Sequence, residues 1–81
     1  MASLEQIKKD IVKGIVDRQL NGHIPEIDLA KAVDKMPAGD YVQGRDGLVE
    51  ENVFDRSTWD QRKKGHSYRF NPHIARQKGY L

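Results

Sequence analysis

Residues 37–47 read PAGDYVQGRDG, and whether this stretch is loop or helix decides which later segment must serve as the third helix. It holds three of the chain's seven glycines, at positions 39, 44 and 47. A glycine inside a helix costs roughly 0.5–1 kcal/mol against alanine. Three so close together predict a loop or short hairpin, with Tyr41 and Val42 as one brief strand. The same glycines lack the following Lys and Ser/Thr of a phosphate-cradling loop.

Upstream, Ser3 and Gln6 have the spacing of a capping box and place a helix start near Leu4. Leu4, Ile7, Ile11 and Ile15, flanked by Val12, Val16 and Leu20, recur at helical spacing, while Lys8, Lys9, Asp10, Lys13 and Asp17 fall on the other face. Asn21-Gly22 supplies a left-handed stop, so a first helix is expected over about 4–20. Pro25 opens a second over about 26–36, with Glu26 and Asp28 near the positive end of its dipole. Its apolar stripe is Ile27, Leu29, Ala30, Val33 and Met36, and Pro37 ends it.

Downstream, LVEENVF at 48–54 is too short for periodicity to separate helix from strand. Ser57 with Asp60 three residues on, then Gln-Arg-Lys-Lys-Gly65, predicts a short helix over 57–64 with both ends marked and Trp59 as its inward anchor. Asp55 is a rival cap one turn earlier. His66–Phe70 alternates as a strand does, with Tyr68 and Phe70 on one face in the core. Asn71-Pro72 marks a turn, and 73–81 returns as a second strand or a short helix.

The expected fold is therefore α+β and mostly helical, three short helices plus a C-terminal β-hairpin, with residues 1–81 forming a single small domain. In element order it resembles a winged helix, a helix-turn-helix followed by a hairpin wing. On that mapping the second helix supports and 56–64 enters the major groove. Arg56, Thr58, Gln61, Arg62 and Lys63 would face base edges, since Arg and Gln pair bidentately with guanine and adenine. Lys64, Arg69, Arg76 and Lys78 suit phosphate contacts. The mapping leaves roughly 17–20 residues between Met36 and Ser57, where a helix-turn-helix uses 3–4.

Charge gives this mapping its chemical sense. Residues 1–55 carry 7 Lys/Arg against 11 Asp/Glu, a net −4, whereas residues 56–81 carry 7 Lys/Arg against Asp60 alone, a net +6. A split of this kind points to a nucleic-acid or acidic partner. The chain is 81 residues long and has no cysteine, so it has neither disulfides nor thiolate metal sites. No apolar run approaches the ~20 residues of a membrane span, and the charged first twenty residues do not read as a signal peptide. A soluble cytoplasmic protein without a membrane partner is expected. A core this small supports only about 3–5 kcal/mol of net stability, which leaves room for a homo-oligomer.

Catalytic and metal chemistry find little footing. His66 and His73 lie seven residues apart with Asn71 between them, too close to frame a metal with no carboxylate nearby except Asp60. His23 follows Asn-Gly in an exposed turn. Ser57 and Thr58 read as helix caps, and the adjacent Glu50 and Glu51 diverge. No enzyme activity and no cofactor are expected. The function expected is a small regulatory protein that binds nucleic acid, duplex DNA before RNA, through a basic C-terminal helix and wing. The alternative is an adaptor or inhibitor docking its basic aromatic end, with Tyr68, Phe70 and Tyr80 as anchors, on an acidic partner protein. Recognition of RNA by stacking would require Tyr68 and Phe70 to face solvent.

Overall fold

The computed structural model describes residues 3–62 and 64–81. These form, in chain order, α1 (Leu4–Asp17), β1 (His23–Pro25), α2 (Glu26–Ala32), α3 (Ala38–Glu50), β2 (Phe54–Arg56), β3 (Ser67–Phe70) and α4 (Pro72–Gln77). The strands make one antiparallel sheet in the order β1-β3-β2. Tyr68 at its centre is opposite Ile24 on one side and Arg56 on the other. The fold is α+β and has the element order of a winged helix, but it assembles that order from other residues than the sequence suggested.

The first helix follows its periodicity. Ser3 Oγ accepts a hydrogen bond from the Gln6 amide at 3.2 Å, and Ile7, Ile11, Val12 and Ile15 are buried. It ends at Asp17, three residues short of Asn21-Gly22, because Gln19 itself adopts φ +54°. The amide of Leu20 bonds the Ile15 carbonyl and that of Gln19 the Val16 carbonyl, a Schellman closure. The second helix is shorter than expected, ending at Ala32. Within its stripe Leu29 is fully buried, whereas Ile27 is exposed.

The loop expected over 37–47 is instead the third helix, α3. Its central glycine is explained by what lies opposite. A Cβ on Gly44 would stand 2.6 Å from Ile7 Cγ2 and 2.7 Å from Ile11 Cδ1, so the absent side chain is what lets α3 approach α1. Helices in proteins gain most of their stability from such packing rather than from intrinsic propensity. Tyr41, Gly44 and Leu48 are buried. At the far end Asn52 adopts φ +63°, and the Val53 amide bonds the Leu48 carbonyl at 2.9 Å, which closes α3 as Gln19 closes α1. Met36 and Ser57 are thus separated by the helix itself, and the α2–α3 connection is only residues 33–37.

A contrast between two glycines follows. Gly39 has nothing within 4 Å of its would-be Cβ, so Gly39→Ala should stabilise the fold by about 0.4–1 kcal/mol. Gly44→Ala gains a similar propensity term but overpacks the α1–α3 contact at a cost of about 1–3 kcal/mol, and should destabilise. Urea midpoints moving in opposite directions for the two variants would verify this; a stabilised Gly44→Ala would refute the packing account.

The helix predicted over 57–64 does not form among the described residues. The described residues between β2 and β3, 57–62 and 64–66, belong to the loop of the β2–β3 hairpin, the wing, and the residues read as helix caps do turn work instead. The Ser57 hydroxyl accepts from the Ser67 amide at 2.8 Å, and Asp60 Oδ1 accepts from the Arg62 amide at 2.9 Å. Asp and Ser offer these local bonds in turns as readily as at helix starts. The C-terminal hairpin pairs other strands than expected, and of the two readings of 73–81 the short helix is the one observed. Its strands are 54–56 and 67–70, while residues after Pro72 form α4, closed at Gly79 (φ +82°) with the Tyr80 amide on the Ala75 carbonyl.

The core comprises the α1 stripe with Ile24, Leu29, Leu48, Val53, Phe54, Tyr68 and Ala75. Tyr68 is inward as expected, and Phe70 is partly buried against the same cluster. Near the C-terminus, Glu51 is paired with Lys8, and Tyr80 donates its hydroxyl to the Glu51 carboxylate at 2.8 and 2.9 Å. This joins α1, the end of α3 and the chain's last residues. No helix among the described residues is long and apolar enough to cross a membrane.

Candidate functional site

The wing is held stiffly at its base. The Ser57 amide bonds the Ser67 carbonyl at 2.8 Å, and Asp60 and Gly65 exchange backbone bonds at 2.9 and 3.2 Å. His66 Nδ1 lies 2.7 Å from the Ser57 carbonyl oxygen. Among the described residues, Gln61, Arg62 and Lys64 lie between these contacts as the tip, Lys64 at φ +51°. Thr58, Gln61, Arg62 and Lys64 are exposed there, and Lys63 lies outside the described residues.

Trp59 overturns its expected role. It is 58% exposed, and its indole meets the His66 ring edge to face, with centroids 5.5 Å apart and planes at 84°. The ring forms part of the wall of two depressions. One, of about 650 Å³, is also bounded by His23, Thr58, Gln61 and Arg62. The other, of about 340 Å³, lies towards α3 and contains His66, Arg45, Arg56 and Lys64. Trp59 stands as the ridge between them, braced by His66 on the α3 side.

At the wing's root a charge ladder ties it to the helices. Glu26 at the start of α2 pairs with Arg45 of α3 and accepts the Tyr41 hydroxyl at 3.2 Å. Asp46 accepts from Arg45 at 3.1 Å and from Arg56 at 2.7 Å. The Arg45 and Arg56 guanidiniums lie over the Tyr68 ring, 5.8 and 5.5 Å from its centroid. Burial raises the Tyr68 phenol above its usual range, with the Glu26 charge adding to it. Arg56 is thus committed to Asp46 and is a brace for β2 before it is a contact for any partner.

Two of these carboxylates carry a pH dependence. Partial burial disfavours the charge on Asp46, but hydrogen bonds from Arg45 and Arg56 outweigh it and hold the group below the ordinary range. At Glu51 burial is likewise outweighed by Lys8 and Tyr80. Both groups bind protons less readily folded than unfolded. They therefore stabilise the fold above the ordinary carboxylate pKa, and that contribution is lost as pH falls through their lowered values. Urea midpoints should be flat between about pH 5 and 8 and fall below about pH 4. In Glu51→Gln, weaker at neutral pH, the acid limb should be shallower; an unchanged limb would show that Glu51 is not one of its sources.

The sequence-predicted site residues divide in space. Thr58, Gln61, Arg62 and Lys64 share the wing, and Arg56 and Arg69 flank it on β2 and β3. Arg69 is on the sheet's outer face, opposite His23 and Asp55. Arg76 and Lys78 belong to α4 and its cap, at the other end of β3 from the wing, and Lys78 acts electrostatically on Glu51. The eight of these residues that the structure describes are not one surface.

The helix that follows the turn is α3, and it is acidic. Residues 38–50 carry Asp40, Asp46 and Glu50 against Arg45, whereas the described part of the wing has Arg62 and Lys64 against Asp60. Sequence reasoning missed that the clustered cations and the helix after α2 are different elements. Among the described residues no group of three His, Asp or Glu side chains is placed to hold a metal ion. Comparison with protein-family models, with curated proteins and with solved structures finds no match for this chain.

Proposed function

We propose that this chain is a small nucleic-acid-binding protein of regulatory type that grips duplex DNA by its wing and not by α3. The observation that carries the reading is the pinned wing tip, where exposed Gln61, Arg62 and Lys64 surround an exposed tryptophan. Phosphate contacts from such cations supply affinity without base readout. Against this, the negative α3 would meet phosphates of its own sign on entering a major groove. The expectation that a recognition helix reads bases through Arg56 and Arg62 is replaced by a wing lying along the backbone.

The test is fluorescence anisotropy of a labelled random 20-base-pair DNA at about 50 and 200 mM salt, the range over which phosphate contacts weaken measurably. Binding at the lower salt that is lost at the higher supports the reading. No binding to duplex, single-stranded DNA or RNA at the lower salt removes it. The second reading would then stand, in which the same tip docks on an acidic protein with Trp59 as its anchor, a side chain favoured at interface hot spots.

A further inference from the structure

The larger depression beside the wing has a composition that a paired helix does not use. An indole more than half exposed is unusual on a domain this small, since aromatic rings of this size contribute more to stability when buried. The ring is not loose. His66 braces it on the α3 side, and the Asp60–Gly65 bridge fixes the backbone after it. What remains is a fixed aromatic face beside an open, shallow depression of about 650 Å³, which leaves the indole accessible to a stacking ring.

Around that face the polar groups are of two kinds. Thr58 and Gln61 offer neutral donors and acceptors, which suit the edge of a base, and Arg62 offers a cation for the phosphate of the same nucleotide. His23 closes the side towards the sheet. Asp60, the one acid of the wing, is turned onto the Arg62 amide. A planar, uncharged, hydrogen-bonding ring attached to an anion is the ligand this set matches. Unpaired bases are recognised by aromatic stacking together with bonds to their exposed edges.

We infer that the depression between Trp59 and His23 is a site for one unpaired nucleobase, stacked on the Trp59 indole with its phosphate on Arg62. This rests on the nucleic-acid reading above and narrows it. The preferred target is then a duplex that carries a bulge, flap or frayed end, or a single strand, rather than a fully paired helix. The wing cations hold the backbone while the indole takes the base that pairing has left free.

Trp59 is the chain's only tryptophan, so its emission reports the site directly. The protein would be titrated with a blunt 14-base-pair DNA, the same DNA with a single bulged adenine, oligo-dT and oligo-rU. The expected result is strong quenching with the bulged duplex and with at least one single strand, weak quenching with the blunt duplex, and roughly tenfold tighter binding to the bulged form, the scale of one stacked base. Whichever of oligo-dT and oligo-rU quenches at lower concentration identifies the source as DNA or RNA. By anisotropy, Trp59→Ala should lose the tenfold preference yet keep salt-dependent binding to the blunt duplex, and Trp59→Phe should retain most of the preference. Equal affinity and equal quenching for blunt and bulged duplexes would overturn the base site while leaving wing binding intact, as would a preference that survives Trp59→Ala. No binding to any of the four would overturn both.

Discussion

Tyr68→Ala is expected to abolish cooperative folding at 25 °C. Tyr68 is 1% exposed and sits at the centre of the middle strand, where each edge strand is paired to it. Its ring packs on Phe54 at 5.9 Å between centroids and receives the guanidiniums of Arg45 and Arg56. Truncating a buried aromatic to alanine costs about 3–5 kcal/mol, against a total for a domain of this size of about 3–5 kcal/mol. The loss equals the whole. The two guanidiniums add to it, since the polar ladder they belong to would border a cavity. Tyr68→Phe keeps the ring and both cation contacts and should remain folded, with a change of about 1 kcal/mol or less, the scale of a single hydrogen bond. Urea unfolding followed by far-UV circular dichroism distinguishes the cases. A cooperative transition in Tyr68→Ala close to the wild-type midpoint would mean that the core does not depend on its central ring.

Legibility in this sequence followed burial by apolar side chains. Ile7, Ile11, Val12 and Ile15 announce α1 because one repeated face does one job, and Tyr68 with Phe70 announces β3 for the same reason. The chain became illegible where a residue serves a partner distant in sequence. Gly44 is small to admit Ile7 and Ile11, more than thirty residues earlier, and no local rule separates that glycine from a loop glycine. Once α3 was read as loop, Ser57 and Asp60 were the nearest helix signals left, and both form turns with the same side-chain bonds that cap helices. Trp59 followed the error, since an aromatic in a supposed amphipathic helix is assigned to the core. The charge split at residue 56 was legible throughout. That it coincides with the passage from α3 to the β2–β3 hairpin, so that the cations lie off the expected reading helix, required the fold.

That separation yields the second large effect. Arg62→Glu/Lys64→Glu should lower affinity for duplex DNA by about 100-fold at 50 mM salt and flatten the logarithmic salt dependence by about two, because each lost phosphate contact removes a slope of about 0.9. Both side chains are exposed on the wing tip, so the fold should be unaffected, and an unchanged urea midpoint would verify it. The complementary variant is Asp40→Asn/Glu50→Gln on α3. If α3 entered the groove, neutralising its acids would relieve repulsion and raise affinity as strongly as the wing variant lowers it. If the wing alone makes contact, the change should be about threefold or less, since exposed charges separated from the DNA by more than a Debye length of about 8–10 Å are largely screened. Arg76→Ala, on α4 beyond the far end of β3, should behave like the α3 variant. A large gain from the α3 substitutions, or a large loss from Arg76→Ala, would place the DNA across a different face and remove the wing from its central position. Equal tolerance of all three variants would show that no specific cation on this surface meets a phosphate.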